Sequence, residues 1–179
     1  MNEQTAVLSE KAKSEFQQNK FADAVTDFRT CLDLLTGETD PLEIAEIRNN
    51  LGVALLRNAE PQAALEAISG TEEIFSRAHD IQRQGMALAN LGTAYETLKI
   101  FDQANTCYEQ AVECFKQTGD KKLRSITLRS LSNLQLRTGK QYNAIATLQA
   151  AYSEKPQSTL KDKFFASALG SVINKLLGR

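Results

Sequence analysis

Apolar residues recur along this chain at helical spacing, and the pattern restarts several times. Met86, Leu88, Leu91 and Tyr95 mark one helical face, and Ala104, Tyr108, Ala111, Val112 and Phe115 mark the next. Short breaks separate such stretches: Gln18-Asn19-Lys20, Asn58-Ala59-Glu60, Leu98-Lys99-Ile100 and Thr138-Gly139-Lys140. Asn19 and Gly139 suit a left-handed residue that closes a helix. Asp40-Pro41-Leu42-Glu43 predicts a helix start, with Asp as the cap, Pro in the first turn and Glu reaching back. Thr118-Gly119-Asp120 reads as a stop followed by a start. Gly70 falls inside a predicted helix, where Gly costs roughly 1 kcal/mol against Ala. It marks either a kink or the close approach of a neighbouring helix.

The restarts have a fixed period of 40 residues. Ala24, Ala64, Ala104 and Ala144 are one register; Ala12, Gly52, Gly92 and Ser132 are a second, all small. Phe28, Ile68, Tyr108 and Leu148 are bulky at every occurrence, and Cys31, Thr71, Ala111 and Ala151 are small. Leu51, Leu91 and Leu131 repeat as well, with Lys11 the exception in the first unit. Asp40, Asp80 and Asp120 fall at the joints. Each unit is therefore a pair of helices, with units over residues 5–39, 40–79, 80–119 and 120–156. A small residue on one helix lets its partner approach to roughly 8–10 Å, and the bulky register fills the groove beside it. One pair cannot bury both its faces, so stacked neighbours supply the core.

The best-formed unit reads Asn90-Leu91-Gly92-Thr93-Ala94-Tyr95, then Phe101-Asp102-Gln103-Ala104, then Tyr108-Glu109-Gln110-Ala111-Val112. The second unit supplies Asn49-Asn50-Leu51-Gly52 and Ala63-Ala64-Leu65. On these residues the chain resembles the tetratricopeptide repeat family over roughly residues 5–156. The fourth unit departs from the pattern, with Ser132 for Gly and Gln135 for Tyr, and the first carries Lys11 and Ala12. The period exceeds the family's usual 34 by about six residues, as in its longer-helix variants. The resemblance implies an all-α, right-handed α-solenoid of four such pairs. A lone helix over 158–178 follows as a cap, its apolar face formed by Leu160, Phe164, Phe165, Ala168, Leu169, Val172, Ile173, Leu176 and Leu177. So broad an apolar face also suits a homodimer through this helix, because a cap should be polar outside.

In such arrays the first helix of each pair lines a concave surface. By the resemblance its candidate residues are Lys13 and Gln17, then Glu46, Asn49, Asn50, Val53 and Arg57. They continue with Met86, Asn90, Thr93 and Glu96, then Arg129, Asn133, Leu136 and Arg137. Asn50 and Asn90 lie one period apart, and an amide can both donate to and accept from a peptide backbone. Solvated or helix-bonded Asn side chains are the other reading. Some family members clamp a C-terminal carboxylate. The matching positions here are Ser9, Lys13, Asn50, Met86 and Asn90, of which only Asn50 fits, and a Met cannot replace a cation there.

Composition narrows the function class. Among 179 residues, 42% are hydrophobic and 24% charged, with 3 Pro, 9 Gly and no Trp, which favours long helices over turn-rich β architecture. The net charge of −1 hides a split. Residues 1–120 hold 10 Lys and Arg against 20 Asp and Glu, a balance of −10; residues 121–179 hold 11 against 2, a balance of +9. Arg129 and Arg137 thus point to an acidic partner at the C-terminal end of the groove; a solvated charge gradient and head-to-tail self-association are the other readings. No aromatic stacking platform or known motif suggests nucleic acid. Apolar runs are too short for a membrane span, and Met1-Asn2-Glu3-Gln4 is no secretory start.

Cys31, Cys107, Cys114 and the lone His79 form no metal-ligand set, so three reduced thiols and a cytoplasmic location are the expectation. No phosphate-binding loop or nucleophile elbow is present. Glu72 and Glu73 read as surface residues, and His79 as a helix-end residue that caps carbonyls. The reading is a non-catalytic protein–protein interaction module, adaptor or scaffold, holding a peptide or helix in its groove without cofactor or metal. A regulatory sensor of a small signalling peptide and a self-assembling structural protein are the alternatives.

Overall fold

The computed structural model describes residues 3–35, 37, 39–154 and 159–176, with the side chains of 160 and 172–176 left outside the description. Ten helices and no strand occur among the described residues: α1 (Glu3–Gln17), α2 (Phe21–Asp33), α3 (Pro41–Arg57), α4 (Pro61–Ile68), α5 (Thr71–Arg77), α6 (Ile81–Thr97), α7 (Phe101–Thr118), α8 (Lys121–Arg137), α9 (Gln141–Ser153) and α10 (Leu160–Leu176). They form an α-solenoid of four helix pairs, α1/α2, α3/α4–α5, α6/α7 and α8/α9, with α10 packed on α9 as the cap.

The turns repeat as faithfully as the helices. Asn19, Ala59, Lys99 and Gly139 all have positive φ, between 61° and 77°. After each, the next backbone N–H reaches back five residues: Lys20 to Glu15, Glu60 to Leu55, Ile100 to Tyr95 and Lys140 to Gln135, at 2.8–2.9 Å. This closes the first helix of every pair by satisfying a carbonyl that would otherwise be orphaned. His79 takes the same conformation between units, and its backbone N–H bonds the Ser76 carbonyl at 3.0 Å. The helix is closed by that amide, and among the described residues no bond involves the imidazole. At the joints Asp40, Asp80 and Asp120 cap α3, α6 and α8, accepting from the N–H of Leu42, Arg83 and Leu123 at 2.8–2.9 Å.

The small register works by close approach. A β-carbon on Gly52 would lie 2.2 Å from Ile68, and one on Gly92 would lie 2.7 Å from the Tyr108 ring. In the fourth unit Ser132 keeps the approach and adds a bond, its hydroxyl donating to the Ala144 carbonyl at 2.7 Å. Ser125 does the same to Ala151. Gln135, standing where the pattern has Tyr, is buried and accepts from the Thr147 hydroxyl at 2.9 Å. The departures of this unit are thus polar substitutes for apolar packing.

One expectation needs correction. Gly70 does not sit within a helix: the second helix of unit two breaks at Ser69-Gly70 into α4 and α5, and Gly70 has φ +84°. Nothing lies within 4 Å of where its β-carbon would be, so the residue is there for backbone conformation and not for close packing. Lys11, the exception in the leucine register, also has a cause. Leu51, Leu91 and Leu131 are buried within the stack, whereas no described unit precedes α1. Lys11 is exposed there and reaches Asp27 at 2.7 Å and Glu15 at 3.4 Å.

Candidate functional site

The first helices of the pairs line two adjoining cavities. The larger, of about 460 Å³, is bounded by Lys13, Phe16 and Gln17 of α1, Phe28 of α2, Asn49, Asn50 and Val53 of α3, and Met86 and Asn90 of α6. The second, of about 210 Å³, shares Met86 and Asn90 and continues past Thr93 to Ile126, Thr127 and Ser130 of α8. Together they form one groove running from unit one to unit four. Phe28 and Tyr108, both from the bulky register, lie at its base.

Several candidate residues are bonded to one another across units. The Lys13 ammonium lies 2.8 Å from Glu10 and 3.5 Å from Glu46; Glu46 in turn meets Arg83 at 3.2 Å, and Arg83 meets Asp80 at 2.6 Å. The Asn90 amide donates to Asn49 Oδ1 at 3.1 Å, so the amide pair that meets is Asn49–Asn90, not Asn50–Asn90. Arg137 bonds Glu96 at 2.6 Å and lies over the Phe101 ring; Glu96 also accepts from the Tyr108 hydroxyl at 2.9 Å. Thr93 is within 3.2 Å of that hydroxyl. Burial, opposed by the Thr93 bond, pushes the Tyr108 phenol well above its usual range, so it stays a donor. The Lys13–Glu46, Glu46–Arg83, Asn49–Asn90 and Glu96–Arg137 contacts, 33 to 41 residues apart, tie neighbouring units together.

The groups left over define the groove chemically. Asn50 makes no side-chain bond among the described residues and faces the larger cavity. Val53 lies beside it, and Met86, 38% exposed, sits where the two cavities meet. Ile126 is 51% exposed at the far end. Arg57 lies outside both cavities, stacked over Phe21 at 4.7 Å. Arg129 and Asn133 are exposed on α8 and make no side-chain bond among the described residues. Of the candidate residues, Lys13, Gln17, Asn49, Asn50, Val53, Met86, Asn90 and Thr93 line these cavities; Phe16, Ile126 and Ser130 line them too and were not among the candidates. Ile126 was readable as an apolar residue on the polar side of α8.

Two family profiles, each described as tetratricopeptide repeat, match residues 9–79 and 87–122. The chain belongs to the tetratricopeptide repeat family. No curated protein matches it. Among solved structures it is similar to MamA, with a TM-score of 0.67 and 18% identity over 84% of this chain and 78% of that one. Nearly identical TPR-like repeats attributed to a kinesin light chain of Podosopora anserina give 0.68 and 14% identity, covering 97% and 96%. The Rap conjugation gene regulator of plasmid pLS20, solved with its Phr* peptide, gives 0.67 and 12% identity, covering 98% of this chain and 54% of that one. These likenesses concern the fold. A tetratricopeptide repeat protein is in general a protein–protein interaction module, and such proteins are generally non-catalytic. No helix among the described residues is long and apolar enough to cross a membrane.

Proposed function

We propose that this tetratricopeptide repeat protein is a non-catalytic adaptor that holds an extended peptide or a helix of another protein in the groove over α1, α3, α6 and α8. The observation that carries this reading is the contrast between bonded and unbonded groove residues. Lys13, Asn49, Asn90, Glu96 and Arg137 have partners within the array, whereas Asn50, Val53 and Met86 face the cavity without one. An apolar side chain of the partner would enter between Phe16, Val53 and Met86, and Asn50 would bond its backbone. Arg129 lies on α8 toward the basic end of the chain and would favour an acidic residue there. The Rap neighbour, solved with a peptide, supports a peptide as ligand class.

Selection of random-sequence peptides on the whole chain, followed by fluorescence anisotropy, tests this. Asn50→Ala and Met86→Ser should each weaken a selected peptide by roughly tenfold or more. Binding that ignores both substitutions contradicts the reading.

A further inference from the structure

The groove uses one face of α6. The opposite face floors a second cavity of about 530 Å³, walled by α5 and α7. Leu88, Leu91 and Tyr95 recur along α6 as its apolar floor. Glu72, Glu73 and Glu113 stand in its walls, and no Lys or Arg lines it. Glu73 and Glu113 pair with Arg77 and Lys116 on their own helices at 3.1 and 3.4 Å, in exposed pairs of the kind that contribute little. Glu72 is different. It is not the plain surface residue its sequence suggests, because its Oε2 is buried without a hydrogen-bond partner. A buried carboxylate oxygen left so has an unmet demand for a donor.

A complementary surface lies at the other end of the chain. Asp162, Ala166, Leu169 and Gly170 are the less exposed side of α10, and Gly170 lies close against Gln149 of α9. Lys161, Phe164, Phe165 and Ala168, spaced i, i+3, i+4 and i+7, are exposed. Phe164 is 72% and Phe165 55% exposed, although Phe165 stacks on Tyr152 at 6.2 Å. Two neighbouring aromatic rings beside a lysine are an uncovered apolar face with a cation.

We propose that a second copy of this chain covers both surfaces. The Lys161–Phe164–Phe165 face of α10 in one copy enters the cleft between α5 and α7 of the next. Lys161 meets Glu72, and the rings rest on the floor of the cleft, where Tyr95 is partly exposed above the buried Leu88 and Leu91. The contact is heterologous, so each copy offers both halves and assembly runs head to tail. The opposed charges of the two parts of the chain favour that polarity. The peptide groove stays free, so this inference does not rest on the function proposed above.

Sedimentation velocity of the whole chain at low ionic strength tests it, with circular dichroism confirming that each variant is folded. The wild-type chain should form species that grow with concentration. Glu72→Lys and Lys161→Glu should each weaken association by roughly tenfold or more. Glu72→Gln and Phe164→Ser serve as milder variants of the two sides and should weaken it as well. The decisive arm mixes Glu72→Lys chains with Phe164→Ser chains: each retains one intact half, and the two altered halves repel because Lys161 would face the lysine introduced by Glu72→Lys, so the mixture should form dimers and nothing larger. A wild-type chain that stays monomeric to about 0.5 mM, variants that associate like the wild type, or a mixture that stays monomeric would each overturn the proposal. So would a mixture that grows beyond dimers.

Discussion

Replacing Gly52 by Ala sets two effects of known size against each other. Ala is the better helix former by roughly 1 kcal/mol, and Gly52 lies well inside α3, so the helix alone should gain. The added β-carbon, however, would lie 2.2 Å from Ile68 Cγ1, 2.5 Å from its Cδ1 and 3.3 Å from the Ala64 carbonyl oxygen. Ordinary contact begins near 3.4 Å. Ile68 is completely buried at the end of α4, so it cannot swing into solvent. The two helices must then part by roughly 1 Å, and overpacking of this kind costs about 1–3 kcal/mol. With two atoms overlapping, the upper end applies, and the net loss should be about 2 kcal/mol. For a chain of this size that lowers Tm by roughly 4–8 °C.

Thermal unfolding followed by circular dichroism measures the loss. Ile68→Ala alone should cost about 2–5 kcal/mol. Combined with Gly52→Ala it should cost at least about 1 kcal/mol less than the two single losses together, because the new methyl enters the space vacated. A Gly52→Ala chain that is as stable as the wild type, or more so, would refute the close-approach account of the small register.

Other consequences are simpler to check. Ala59 holds φ 63°, a conformation that costs an ordinary residue about 1–2 kcal/mol; Ala59→Gly should raise Tm by roughly 2 °C, the entropy of Gly offsetting part of the relief. The Leu123 N–H, against opposing burial and aided by the Gln82 amide, holds the Asp120 carboxyl below its ordinary value of 3.8. The stability it contributes is present above that value and is lost as pH falls through the lower folded value. Asp120→Ala should therefore cost about 1 kcal/mol at pH 7, with the difference from wild type shrinking in denaturation curves taken at about pH 2. Burial, with the Glu72 charge adding, pushes the Cys107 thiol up to about 11. Alkylation near pH 8 should be slow, and Glu72→Gln should speed it by lowering that value.

What the sequence made legible was whatever recurs. The 40-residue period located the pairs, the Asp caps and the close approaches at Gly52 and Gly92, because each is enforced by the same packing in every unit. Features belonging to one unit were harder to read. The break at Ser69-Gly70 follows from a single positive φ that an apolar pattern does not encode. Ala59, Lys99 and His79 carry left-handed turns without glycine, so only their register with Asn19, Gly139 and Gly119 gives them away. In the groove, residue type identified Lys13, Asn90, Glu96 and Arg137 as polar and well placed, but not that they would bond one another. Polar side chains about one period apart face each other across the stack, so each of these finds a partner in the neighbouring unit. Asn50 and Met86, one amide and one thioether, are what that pairing leaves open. On the cap, Phe164, Phe165, Ala168 and Leu169 of the expected apolar face are described; Leu177 and the side chains of Leu160, Val172, Ile173 and Leu176 lie outside the described residues.

The central claim is that a partner segment binds over Met86, where the two cavities of the groove meet. The chain has two methionines, Met1 and Met86. A spectrum of the chain labelled with 13C at the methionine methyl groups therefore holds two signals, and Met86→Leu assigns them. Titration with a selected peptide should move the Met86 signal in step with binding, and Asn50→Ala should push the midpoint to higher peptide concentration. A Met86 signal that stays in place while anisotropy shows the peptide bound would contradict the account.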